Sequence, residues 1–204
     1  MRRRGYRWWT ERFRRTFELF DLVRVDHFRG FVAYWVVGAR AQTAKGGRWR
    51  RGPGAAVFRA MEQELGTLAV IAEDLGDITP AVTRVRRELG FPGMGVLQFG
   101  FGESDEGGPH HPSNWSADQV VYTGTHDNDT LGGWWSSVDE ATRGRVLTAA
   151  RTAGIEEADP AWAMISLAFA ADSRLAMIQA QDVLGLGSEA RMNMPGTTGR
   201  SWNW

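Results

Sequence analysis

Three acids stand where apolar runs of this chain end: Asp26 in "FDLVRVDHFRG", Glu73 in "TLAVIAEDLGD" and Asp127 in "QVVYTGTHDNDT". In the first run Leu22, Val23 and Val25 read as buried strand, yet Arg24 and Asp26 are threaded through it. Strand side chains alternate faces, so Arg24 and Asp26 point the same way, and the guanidinium can keep the carboxylate ionised. An ionised carboxylate beside a carboxyl group that holds its proton is the minimum equipment for breaking a glycosidic bond with retention. One group attacks carbon, and the other protonates the leaving oxygen and later takes a proton from the acceptor. Asp26 fits the first part and Glu73 the second. A lone acid at a strand end is more often a cap or a surface charge, but three on different strands reverse that weighting. His27 and His126 each adjoin an acid, and hydrogen bonding to sugar hydroxyls is the use expected of them.

The elements that would carry these acids alternate. In "YRWWTERFRRTFELF", residues 6–20, the spacing of Trp9, Phe13, Phe17 and Phe20 predicts an amphipathic helix. A strand at 21–27 follows, and then "ARAQTAKGGRWRRGPG", whose glycines and arginines suggest a functional surface loop. A helix is expected from Gly54 to about Leu65, stopped by Gly66, then the strand that ends in Glu73, Asp74 and Asp77. Thr79 is expected to cap a helix with Pro80 in its first turn and Gly90 at its end. Further strands are read at 94–101 and before Asp127, helices at 138–153 and from Asp159–Pro160 onward, and one more strand in "RLAMIQAQDVLGLG". Strand–helix alternation with apolar strand faces implies a parallel sheet covered by helices. Acids gathered at the C-terminal ends of several strands favour a (β/α) barrel over an open sheet with one switch point. At about 30 residues per unit, Asp26 and Glu73 lie one unit apart and Asp127 two units further on, so the three would converge on one rim.

The 204 residues carry 24 basic and 24 acidic groups, and a net charge of zero points to an uncharged or small partner. Nucleic acid and membrane are not expected as partners. The arginines interleaved with aromatics on the first helix admit an RNA-binding reading, which a solvated helix face outweighs. Lys45 is the only lysine. The absence of cysteine excludes disulfides and thiolate chemistry and suits a reducing compartment. No apolar run reaches membrane-span length, and "MRRRGYRWW" lacks a signal peptide's apolar stretch, so a cytoplasmic location is the expectation. Ten tryptophans exceed what a core needs and suggest stacking on flat ligand faces, with Trp49, Trp134 and Trp135 as candidates against a packing role. "DNDTLG" starts like a calcium loop but has Leu131 at a ligand position and lacks the closing glutamate. Adjacent His110 and His111 rarely face one ion, and neither a G-x-S-x-G elbow nor a phosphate-binding loop occurs. No metal and no cofactor are called for.

The stretches "FDLVRVDHFRGF", "GGRWRRGPG", "IAEDLGDITP", "PGMGVLQF", "VVYTGTHDNDT" and "RMNMPGT", in that order, resemble the 4-α-glucanotransferases of the amylomaltase, or disproportionating-enzyme, type within the α-amylase clan. The resemblance runs over essentially the whole chain. It implies that Asp26 is the nucleophile, Glu73 the general acid/base, and Asp127 the third acid that binds substrate hydroxyls and stabilises the transition state. Arg24, His27, His126, Trp49, Asp74 and Asn128 would bind substrate, which would be maltooligosaccharides and other α-1,4-glucans. It also implies a (β/α)8 barrel of which residues 1–204 are the C-terminal portion, strands four to eight, with the first three strands and an inserted subdomain lying upstream. The chain is then expected to be a fragment or truncated product that needs an N-terminal half. The reaction implied is retaining transfer of glucan segments to a 4-hydroxyl, with an α-glucan hydrolase or a non-catalytic glucan-binding fragment as the alternatives.

Overall fold

The computed structural model describes residues 2–102, 108–199 and 201–204. They form two compact units, 1–93 and 94–204.

The first unit opens with α1 (Arg7–Phe17), whose Trp9, Phe13 and Phe17 pack on the core as their spacing requires. Phe20 lies beyond the helix end and is 60% exposed, so the expected stripe ends at its third member, Phe17. The parallel strands β1 (Val23–Val25) and β4 (Val70–Ala72) pair in the register Val23↔Val70 to Val25↔Ala72. Both are shorter than expected, the regular ladder ending at Val25 and Ala72. The stretch expected as a surface loop, residues 39–54, carries a strand, β3 (Arg48–Arg51), which pairs antiparallel with β2 (Ala33–Val36) just before it. β3 is exposed throughout and has no apolar alternation to reveal it. The cross-strand pair Trp35↔Trp49 holds it, with ring centroids 5.3 Å apart. At its base Gly52 approaches the Phe31 carbonyl so closely that a Cβ would lie 2.2 Å from the oxygen.

Helix α2 (Ala55–Leu65) ends at Gly66, with φ of 80°, and α3 (Pro80–Glu88) is followed by Gly90, with φ of 68°. Thr79 makes no side-chain cap, contrary to expectation; its main-chain carbonyl accepts from Val82 and Thr83 instead. The core is largely aromatic: Phe28, Phe58 and Phe91 are buried, with Phe31–Phe58 centroids at 4.7 Å and Phe58–Phe91 at 5.3 Å.

The second unit carries a three-stranded sheet in the order β5–β6–β7, where β5 is Gly93–Val96, β6 Gln119–Tyr122 and β7 Leu175–Met177. β6 and β7 are parallel. β5 stops at Val96 rather than running on to 101, because Leu97–Phe99 coils into a 3₁₀ turn. Helices α4 (Leu131–Ser137), α5 (Glu140–Thr152) and α6 (Pro160–Phe169) cover the core, and Asp159 caps α6 by accepting from the Trp162 N–H at 3.0 Å. The expected final strand supplies both β7 and a short helix, α7 (Ala180–Val183). Residues 103–107, which follow the strand expected at 94–101, fall outside the described residues. Among the described residues no helix is long and apolar enough to cross a membrane.

One buried carboxylate ties this unit together. Asp182, 1% exposed, accepts the Leu131 N–H at 2.7 Å and the Thr123 hydroxyl at 2.7 Å, joining α7 to the start of α4 and the end of β6. Burial pushes its carboxyl above the usual value, against the pull of those two hydrogen bonds. The folded chain therefore holds this proton after the unfolded chain has lost it, and the group's stabilising contribution falls as pH rises through the window above the ordinary carboxylate value. Asp182→Asn, which can still serve both partners, should remove that slope in urea melts across pH 4 to 6. Asp182→Ala should destabilise the fold by about 1–3 kcal/mol by orphaning buried donors.

Candidate functional site

Asp26 and Glu73 each follow the last residue of β1 and β4, one position beyond the paired Val25 and Ala72. Parallel pairing continues past the strand ends: the Glu73 N–H donates to the Val25 carbonyl at 2.9 Å, and the Phe28 N–H donates to the Glu73 carbonyl at 3.1 Å. The chain then turns sharply through His27, a non-glycine residue in the left-handed region at φ 48°, ψ 49°. Such a conformation costs on the order of 1 kcal/mol and persists where the surroundings dictate it. Here it aims the His27 N–H at Glu73 Oε2, 2.6 Å away, while the Leu75 N–H reaches Oε1 at 2.7 Å. Glu73 is thus held at both oxygens by main chain, one donor belonging to the residue beside Asp26. Each carboxyl oxygen keeps a further lone-pair site for a proton.

Arg24 and Asp26 share a strand face as their spacing requires, with Arg24 Nη2 3.7 Å from Asp26 Oδ1. The Asp26 side chain is 73% exposed, open to an incoming molecule, while that of Arg24 is 22% exposed. Asp74 is occupied by the protein. Its Oδ2 lies 3.1 Å from Arg86 Nε on α3, both side chains nearly buried, and Arg86 also donates to the Phe91 carbonyl at 2.8 Å. Residue 93 must be glycine for this, since a Cβ there would lie 2.4 Å from Asp74 Oδ2.

In the second unit Asp127 is exposed on the loop between β6 and α4. Its Oδ1 accepts from Asn193 Nδ2 at 2.5 Å and lies 3.5 Å from His126 Nε2. Arg191 donates to the Asp127 carbonyl and, through Nε, to that of Asn193 at 2.9 Å. Asn128 turns inward, its Oδ1 accepting from the Thr125 N–H at 2.9 Å and hydroxyl at 2.8 Å, so it shapes the loop. The His126 ring lies tilted against Trp202, with centroids 5.1 Å apart. Arg191, Asn193 and Trp202 were not among the expected site residues; the "RMNMPGT" stretch was the available signal for the first two.

The tryptophans divide. Trp49 is 51% exposed on β3, whereas Trp134 and Trp135 are half-buried against the second unit's core. Among the described residues no cluster of three His, Cys, Asp or Glu could hold a metal ion, and His110 and His111 are engaged by the Val96 N–H and Ser113.

A family model described as 4-alpha-glucanotransferase matches residues 1–204. The chain belongs to the 4-alpha-glucanotransferase family. The chloroplastic/amyloplastic 4-alpha-glucanotransferase of Arabidopsis thaliana is 46% identical over 199 residues, covering 98% of this chain and 34% of that protein. The 4-alpha-glucanotransferase of Thermus thermophilus is 45% identical over 209 residues, covering 100% of this chain and 42% of its own. The chain thus spans well under half the length of these relatives. Among solved structures, an amylomaltase from Streptococcus agalactiae in complex with acarbose superposes with a TM-score of 0.89 at 32% identity, covering 96% of this chain and 39% of the other. An amylomaltase from Corynebacterium glutamicum, at 21% identity and TM-score 0.63 over 88% of this chain and 31% of its own, agrees in fold.

Breaking the Asp74–Arg86 pair separates a structural role from a binding one in this family member. Asp74→Ala should lower stability by about 3 kcal/mol, because it strands a buried guanidinium. A urea melt that left the midpoint unchanged would show that Asp74 is not needed to hold α3.

Proposed function

We propose that this chain carries the reacting carboxylates of a retaining 4-alpha-glucanotransferase. The observation that carries the reading is the in-register pairing of β1 and β4, with the His27 N–H bound to the Glu73 carboxyl. It brings a nucleophile and an acid/base candidate to the same end of two adjacent parallel strands, about 5 Å apart along the sheet. Retaining enzymes hold the two carboxyl groups themselves about 5–5.5 Å apart, a span that side chains leaving neighbouring strand ends on one face can bridge.

Asp26 attacks the anomeric carbon as Glu73 protonates the departing glycosidic oxygen; the C–O bond breaks and a glucosyl ester on Asp26 forms. Glu73, now ionised, takes the proton from the 4-hydroxyl of an acceptor glucan, whose oxygen displaces Asp26 and restores an α-1,4 bond. Two inversions leave the configuration unchanged. Arg24, 3.7 Å from Asp26 Oδ1, orients it. Asp127, steered by Asn193 and His126, is assigned to substrate hydroxyls, with His27 in the same role. Trp49 is assigned to stacking on a sugar ring.

The proposal extends to residues 1–204 as the C-terminal portion of a (β/α)8 barrel, acting with strands supplied by further chain. The substrates are maltooligosaccharides and related α-1,4-glucans. Action in the cytoplasm goes with it, supported by a sequence free of cysteine.

Incubation with maltotriose, in the presence of whatever chain completes the barrel, should yield longer oligosaccharides; glucose and maltose alone would mean hydrolysis. Asp26→Asn should abolish turnover. Glu73→Gln should impair turnover of natural glucans by about 100-fold or more, and far less for donors with good leaving groups. Equal losses on both donor types would remove Glu73 from the acid's role.

A further inference from the structure

Arg29 is the side chain in the first unit whose arrangement the reaction leaves unexplained. It sits three residues after Asp26, in the turn Phe28–Phe31, and its side chain is only 12% exposed. Its guanidinium carbon lies 4.3 Å from the centroid of the Trp49 ring. Nη1 donates to the Asp77 carbonyl at 2.6 Å and lies 3.2 Å from Asp77 Oδ2, on the loop after Glu73. Its Nε is buried and has no hydrogen-bond partner among the described residues.

A buried, unsatisfied Nε–H costs free energy that a solvent-exposed arginine would avoid. The flat guanidinium accepts that cost while lying over the indole, where the ring's quadrupole attracts it. Trp35 meets Trp49 nearly edge-on, at 70° between planes, and is itself anchored by donating through Nε1 to the Ala44 carbonyl at 2.9 Å. A cation thus lies over the Trp49 ring and a second indole meets it nearly perpendicular, yet half of the residue's surface stays exposed. A ring so immobilised loses little entropy when a ligand stacks on what remains.

We propose that Arg29 is a positioning residue. It clamps the Trp49 indole and ties the β2–β3 hairpin to the loop after Glu73 through Asp77, so that the sugar platform is pre-set relative to the two carboxylates. The clamp is a geometric assignment; its use for sugar rests on the glucan reading above.

The test keeps these two apart. The Trp35–Trp49 pair, close and nearly perpendicular, should give an exciton couplet in far-ultraviolet circular dichroism, isolated as the difference between the wild-type chain and Trp49→Phe. Arg29→Met should diminish the couplet and weaken maltohexaose binding about fivefold, although Arg29 itself touches no sugar. Arg29→Lys, which keeps a charge for Asp77 but not the flat stack, should retain part of the couplet and serves if the methionine variant does not fold. A couplet unchanged in both variants overturns the clamp. A diminished couplet with wild-type affinity, where Trp49→Phe does weaken binding, overturns its role in pre-setting the platform. If the wild-type chain and Trp49→Phe both fail to bind maltohexaose in the presence of the chain that completes the barrel, the glucan reading falls, while the couplet still decides whether Arg29 holds the indole.

Discussion

Everything proposed for the first unit depends on the ladder between β1 and β4. Parallel strands in register keep partner residues level and on the same side, so whatever follows Val25 and Ala72 emerges together. The ladder continues one bond further on each side, through the Glu73 N–H and the Phe28 N–H, and this continuation holds the two acids at equal height. A slip of one residue would turn one carboxylate into the core. The aromatic core beneath, built on Phe28, Phe58 and Phe91, opposes such a slip because it would bring polar groups into contact with closely packed rings.

Main-chain donors, rather than side chains, do most of the orienting. Glu73 is held by two backbone N–H groups, and the left-handed turn at His27 exists to supply one of them. Backbone groups are fixed by the fold and cannot swing to another rotamer, so a carboxyl group held this way is pre-organised before any ligand arrives. The second unit uses side chains for a similar end. Asn193 and Arg191 reach Asp127 from more than 60 residues away in sequence, and Asp182 locks the base of the same loop from inside the core.

The short range of most chemistry-bearing patterns made them readable. Arg24 and Asp26 two apart on a strand, glycines at the ends of α2 and α3, and Asp159 before Pro160 all report on local geometry, which sequence spacing encodes directly. Hidden features depended on partners far along the chain. The β2–β3 hairpin is held by the cross-strand pair Trp35↔Trp49 and by Arg29 over the Trp49 ring, so "RWRR" carries no alternation of its own. Asp74, expected to bind substrate, lies 3.1 Å from Arg86 Nε on α3, a partner 12 residues on that no local pattern announces. Asp182, in a segment read as strand, shows its importance only through burial and the donors it collects.

The sequence by itself determined which residue types stand at the strand ends, the face that Arg24 and Asp26 share, and, through long ordered motifs, the family. Tertiary structure decided which of those polar groups are free and which are spent. Asp26 is left open, Glu73 is bound by main chain, Asp74 and Asn128 are committed inward, and Trp49 is clamped where Trp134 and Trp135 are packed. The reason is physical: a side chain's identity fixes what bonds it can make, but only the packing of distant elements around it fixes which of them are already made.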